Sequence, residues 1–161
     1  MSAPAAPRRT PASSRTVMTE IVLPEDTNTH GSMFGGRLLA LADKCAAMAA
    51  IRHCRMPVVT ASMDRVDFVR PVREGMIVIL TAEITAAFRT SMEVAVTVEA
   101  ENPLSGLRET TCRALITVVA IDEGGQPAAI PALEFDTDEE RQRAVRGAER
   151  RAARLASRGP I

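Results

Sequence analysis

Hydrophobic and polar positions divide this chain into a strand, a helix, four strands and a last helix. Residues 15–23 alternate enough for a first strand, which Pro24 ends. Residues 25–34 are polar and turn-forming. Gly35 and Gly36 then open an apolar run of helical length, which should stop before Pro57 because a residue preceding proline disfavours helix. From residue 58 to residue 121 the chain reads as sheet. The segment 58–69 is rich in β-branched residues, and 76–88 is a long strand entered through Glu74-Gly75. Met92, Val94, Val96 and Val98 alternate with Ser91, Glu93, Thr97 and Glu99, the cleanest two-residue period in the chain. Asn102 to Gly106 is turn chemistry, and 107–121 is the last strand.

Turns between the later strands are of hairpin length, so the strands pair antiparallel, and a lone apolar helix needs a sheet to cover it. The pattern therefore predicts an α+β fold, a five-stranded antiparallel sheet wrapped around one central helix. After a loop, Thr137-Asp-Glu-Glu140 is a capping-box pattern that starts a C-terminal helix. Val145, Ala148, Ala152 and Leu155 form a weak apolar seam on it, expected to dock a largely solvated helix. Seven arginines lie between Arg141 and Arg158, so a contribution to a phosphate-rich ligand stays open beside that reading.

Asp43 breaks the pattern of the central helix. At roughly 100° per residue, Arg37, Lys44 and Arg55 share a polar stripe, and Asp43 falls away from it among Leu39, Ala46, Ala47, Ala50 and Cys54. The expectation is a buried carboxylate among small apolar side chains, either paired structurally or used chemically.

Composition narrows the function. The chain has 161 residues, enough for one well-packed domain, and is 46% hydrophobic with only 2% aromatic residues, so the core must be aliphatic. Lys+Arg and Asp+Glu balance at 20 each, which argues against a nucleic-acid or anionic-membrane partner and leaves anionic ligands to local clusters. The three cysteines are odd in number and lack C-x-x-C spacing, so they read as buried thiols of a reducing cytoplasm. The two histidines are far apart and no metal site is expected. Residues 1–14 are Ala/Pro/Ser-rich without the apolar stretch of a signal peptide and are expected to be a disordered tail. No run of about 18 apolar residues predicts a membrane span.

The segment before the helix carries the candidate chemistry. Asn28 can turn or cap the chain, His30 can be a surface histidine, and the Gly35-Gly36 helix start leaves N–H groups that can polarise a carbonyl. The spacing Asn28-x-x-Gly31-x-x-x-Gly35-Gly36-x-Leu38-Leu39-x-x-x-Asp43 resembles that of hotdog-fold acyl-CoA thioesterases of the cytoplasmic acyl-CoA hydrolase type. The likeness continues through 58–68, 70–75, 89–94 and 117–121.

This resemblance implies a hotdog domain over residues 15–133 with an arginine-rich helical extension over 134–161. It implies hydrolysis of acyl-CoA to a carboxylic acid and CoA with no cofactor. It also implies a homodimer, assembled further into a homohexamer. The implied catalytic residues are Asp43 of one chain and Asn28 of its neighbour, with Gly36 at the helix start. Asp43 is then a general base or a nucleophile; the sequence does not choose. His30, Gly35, Arg37 and Thr60 are expected substrate contacts, and Arg89, Thr90 and Ser91 are expected at the CoA phosphates. Arg65, Arg70, Arg73 and Arg108 are weaker phosphate candidates, each of which also suits a solvated strand end. His53, at the helix end, suits the helix dipole and is assigned no catalytic role. Phe88 stands where relatives often have glycine, and the C-terminal helix extends past the usual core. A non-catalytic acyl-CoA sensor and a hydroxyacyl-thioester dehydratase are the competing readings, the latter requiring a histidine–acid pair that the helix lacks.

Overall fold

The computed structural model describes residues 8–158. Strands β1 (Thr16–Ile21), β2 (Val58–Phe68), β3 (Ile77–Ala87), β4 (Ser91–Glu101) and β5 (Arg108–Ala120) form one antiparallel sheet in the order β1-β3-β4-β5-β2. Helix α2 (Gly35–Cys54) lies across its inner face. Inward residues of β3, β4 and β5, among them Leu80, Ile84, Met92, Val96, Ile116 and Val118, are almost fully buried. They meet Leu38, Leu41, Ala42, Cys45, Ala46 and Ala49, which recur every three or four residues along the helix. The alanines let the helix lie close to the sheet. At its end Arg55 adopts a left-handed backbone (φ 58°) and gives its N–H to the Ile51 carbonyl, so the chain leaves the helix before Pro57.

Strand β2 departs from regular pleating. Register breaks between Thr60 and Ser62 and again between Met63 and Arg65 each insert one extra residue. Thr60, Met63 and Val66 therefore pair with the inward residues Val118, Ile116 and Ala114 at a spacing of three rather than two. β2 is also an edge strand, and most of it is exposed in the single chain.

Three expectations need correction. Residues 1–7 lie outside the described part, but Pro11–Ser14 form a short helix, α1, with Ser14 buried and Thr10 accepting from Ser13 N–H. This arm is tied down because Arg9 donates to the Arg52 carbonyl at the end of α2 and accepts from Glu134 N–H. His53 is fully buried rather than displayed as a cation: its Nε2 lies 2.9 Å from the Pro131 carbonyl, and burial pushes its pKa below the ordinary value. The C-terminal helix α3 (Asp138–Ser157) starts at the expected capping box, but its apolar seam does not dock it. Val145 and Leu155 are 59% and 43% exposed. The face against the sheet carries Gly147, Arg143, Arg150 and Arg154, which meet Ala86, Glu83, Glu93 and Asp64. Outward acids on the strands recruit the arginine stripe, and that decides which way the helix turns.

Candidate active site

The loop before α2 is built around Asn28 and Asp26. Asn28 Oδ1 accepts from the N–H groups of His30 (2.9 Å) and Ser32 (3.3 Å), and its Nδ2 donates to Ser32 Oγ (3.1 Å). Gly31 takes φ 71° in this turn, a conformation that favours glycine. Asp26 is buried and accepts from Leu23 N–H at 3.0 Å and from Arg37 Nε at 2.7 Å. These bonds, the Leu23 N–H first, hold the Asp26 carboxyl below the ordinary carboxylate range. The Arg37 guanidinium is thus occupied in fixing loop to helix, and what it leaves for a ligand is its main-chain N–H.

At the helix start the first intrahelical bond runs from Leu38 N–H to the Phe34 carbonyl, 3.0 Å. No side chain caps this end, and the N–H groups of Gly35, Gly36 and Arg37 bond to nothing among the described residues. A Cβ on Gly36 would meet nothing within 4 Å. One on Gly35 would come within 3.2 Å of the Phe68 ring of β2. Beside this contact lies a cavity of about 310 Å³ lined by Met33, Gly35, Leu38, Phe68, Val69 and Val72, among others.

Two turns along α2, Asp43 faces β2. Thr60 donates its hydroxyl to Asp43 Oδ1 at 2.5 Å, and Oδ2 accepts no hydrogen bond among the described residues. Asp43 is half-buried, not enclosed as its apolar neighbours suggested. The helix buries Ala42, Ala46 and Ala50 against the sheet, whereas Asp43 sits over the exposed edge strand, beside the open positions Gly36 and Ala40. The expectation of an acid buried with Ala46, Ala50 and Cys54 is thereby corrected: those residues face the sheet, and Asp43 turns toward its edge strand.

The remaining candidates separate. His30 is exposed, and its carbonyl takes the Arg73 guanidinium at 3.1 Å. Arg65, Arg70 and Arg108 pair with Asp67, Glu109 and Glu101. Arg89 is exposed with no acid partner among the described residues, Thr90 is half-buried, and Ser91 is buried with its carbonyl accepting Phe88 N–H. Asn28 and Asp43 share no hydrogen bond within the chain. Sequence reasoning missed the Phe68–Gly35 contact and the pairing of Thr60 with Asp43. Their signal was the three-residue spacing of Thr60, Met63 and Val66, which a two-residue strand template hides.

Comparison with known proteins decides the family. YkhA of Bacillus subtilis, named as an uncharacterized acyl-CoA thioester hydrolase, is 42% identical over 127 residues, 79% of this chain and 74% of that protein. This chain belongs to the acyl-CoA thioester hydrolases. The thioesterase superfamily model matches residues 30–106, from the Asn28 loop through the β4–β5 turn. A hexameric acyl-CoA thioesterase solved in its apo form is 41% identical, covers 92% of this chain and 97% of its own, and superposes with a TM-score of 0.86. The acyl-CoA hydrolase of Staphylococcus aureus, solved with butyryl-CoA, CoA and CoA disulfide, is 34% identical over 94% of both chains with a TM-score of 0.83. That hydrolase has also been solved as its Asn28→Ala, Thr60→Ala and Asp43→Ala variants, and this chain carries the same residue type at each of those numbers. The rat cytosolic acyl-CoA thioester hydrolase is 32% identical over 83% of this chain, which spans 36% of that longer protein. The sheet and its central helix are the hotdog fold of these thioesterases, and the protein is an acyl-CoA thioesterase.

Proposed function

We propose that Asp43 cleaves the thioester of acyl-CoA, oriented by Thr60 and assisted by the amides of Gly35, Gly36 and Arg37. The observation that carries this reading is the half-satisfied carboxylate: Oδ1 is fixed by Thr60 at 2.5 Å while Oδ2 is open. The thioester oxygen rests against the unbonded amides, where the helix dipole favours the negative charge that builds on it. With Asp43 as base, it takes a proton from water as the water oxygen bonds to the carbonyl carbon. The carbon–sulfur bond then breaks, and the proton passes to the CoA thiolate. With Asp43 as nucleophile, Oδ2 attacks instead, the carbon–sulfur bond breaks to release CoA thiolate, and water opens the resulting mixed anhydride to acid and free Asp43, its proton passing to the thiolate. Single turnover in ¹⁸O-water tests for the anhydride: label in Asp43 with an unlabelled acid requires an anhydride opened at the aspartyl carbon, whereas direct attack of water on the thioester places the label in the acid alone.

Asn28 comes from the neighbouring protomer in this reading. Its own chain uses Oδ1 twice but leaves a second Nδ2 hydrogen to orient water or thioester. Support for a partner over this face comes from the exposed edge strand β2, with Val59, Phe68 and Val69 each about half exposed. The hexameric relative motivates a trimer of dimers. The acyl chain runs into the apolar cavity beside Phe68, and Arg89 meets the CoA phosphates. The chemistry draws on a carboxylate, a hydroxyl and backbone amides and calls for no cofactor. A cytoplasmic location is proposed from kinship with the rat cytosolic hydrolase and from three unpaired, buried cysteines.

Thiol release from acyl-CoAs of graded chain length tests the assignment. Asp43→Ala should lower kcat by about 10²- to 10⁴-fold, the range of a positioned base, with the fold intact. Undiminished release in that variant contradicts the assignment.

A further inference from the structure

We infer that Arg151, on the C-terminal helix, binds the phosphorylated nucleotide end of acyl-CoA, held in place by the ring of Phe88. The inference rests on the reading of Asp43 and Thr60 as the thioester-cleaving pair. Four other arginines of α3, Arg141, Arg143, Arg150 and Arg154, each pair with a carboxylate. Arg151 has no acid partner among the described residues. Its guanidinium carbon lies 4.8 Å from the centroid of the Phe88 ring. A ring face orients a guanidinium without neutralising it and leaves its N–H edge able to donate. The next residue, Arg89, is exposed and likewise without an acid partner among the described residues. Arg151 on α3, through the Phe88 ring, and Arg89 thus bring two cations without acid partners among the described residues to one short turn, whereas the α3 arginines against the sheet, Arg143, Arg150 and Arg154, are matched to acids. A phosphate or diphosphate is the ligand that such a fork-bearing pair fits.

The turn is rigid and well placed for this. Phe88 N–H donates to the Ser91 carbonyl at 2.8 Å, and the Arg89 carbonyl accepts from Ile130 N–H at 3.0 Å. Met92, at the foot of the turn, pairs with Val118, and Val118 pairs with Thr60. Thr60 and the turn therefore share one cross-strand row, two strands apart, or roughly 10 Å across the sheet. That offset suits a substrate whose sulfur and phosphates are joined by a long flexible arm. Phe88, a departure from the glycine expected here, becomes intelligible as the seat for a cation that α3 supplies.

The test compares an acyl-CoA with the matching acyl-pantetheine, which has the same thioester and no nucleotide. For the full-length protein, Arg151→Ala should lower the ratio of kcat/KM for acyl-CoA over acyl-pantetheine by about five- to twentyfold, one charge-assisted contact. Phe88→Ala should lower it less. An unchanged ratio, or an equal loss on both thioesters, overturns the inference and leaves Arg151 a packing residue. Calorimetric binding of free CoA keeps the two proposals distinguishable. Adding Arg151→Ala to Asp43→Ala should weaken CoA by the same factor whether or not Asp43 proves catalytic; no weakening counts against Arg151 alone.

Discussion

Two carboxylates, Asp43 on the central helix and Glu93 on the opposite face of the sheet, show how the same group is used for chemistry or for architecture. Glu93 is 4% exposed and saturated: Arg150 reaches it through Nε at 2.9 Å and Nη2 at 2.7 Å, and Thr85 donates to it at 2.7 Å. Asp43 is half-buried, fixed through one oxygen and open at the other. A saturated acid can only hold, whereas a fixed and unsaturated one can accept a proton or attack. The difference lies in the surroundings. α3 covers the outer face over Glu93, and nothing among the described residues covers β2 beside Asp43.

Substitutions at the two sites should therefore fail in opposite ways. The largest effect is on rate at the inner site, where Asp43→Ala removes the acid and Gly36→Pro removes one amide donor. Losing one such donor costs about 10²- to 10³-fold in kcat, and Gly36→Ala, which keeps the N–H and meets open space, is the control. Glu93→Ala should do the reverse, lowering stability by about 3 kcal/mol because it strands a paired arginine, with kcat per folded molecule retained. Denaturant midpoints beside thiol-release rates give both quantities. Loss of kcat in folded Glu93→Ala would erase the contrast.

Thr60→Ala comes next, with about a tenfold fall in kcat, one hydrogen bond to a charged group. Gly147→Ala sharpens the outer side. A Cβ there would lie 2.8 Å from Ala86 Cβ, on a strand that cannot yield cheaply, so overpacking of about 1–3 kcal/mol should outweigh the helix-propensity gain of about 1 kcal/mol. The smallest effect concerns Asp26, whose pKa is lowered in the fold. A depressed carboxylate contributes stability that is present above its unfolded value, 3.8, and is lost as pH falls through the folded value. Asp26→Asn should accordingly be less stable than the wild type near neutrality, with the gap in melting temperature closing below about pH 3.8. A gap that is constant with pH would assign the loss to packing.

What was legible in the sequence follows from what is local. Two-residue alternation in β4, the stop before Pro57 and the Thr137–Glu140 box depend on neighbouring residues, and each stands within a residue or two of its expected place. The interval from Asn28 to Asp43 is local as well, and it spans the loop and the helix on which the proposed site is built. The rest depends on partners distant in the chain. Whether α3 turns its arginines or its aliphatics to the sheet is decided by Glu83, Glu93 and Asp64, which lie on three other strands. The ordering of Pro11–Ser14 depends on Arg52 and Glu134. The exposure of Asp43 depends on β2 being an edge, a property of strand order that periodicity does not contain.

A mixing experiment tests most directly that Asp43 works with the amide of another protomer. Asp43→Ala and Asn28→Ala chains, each inactive alone, are combined in equal amounts, unfolded and refolded together. If each site takes Asp43 from one chain and Asn28 from its neighbour, half the dimers are mixed and each of these holds one intact site. Activity should then return to about a quarter of wild type. No recovery from properly assembled mixtures would mean that the two residues serve the same chain's site, or none.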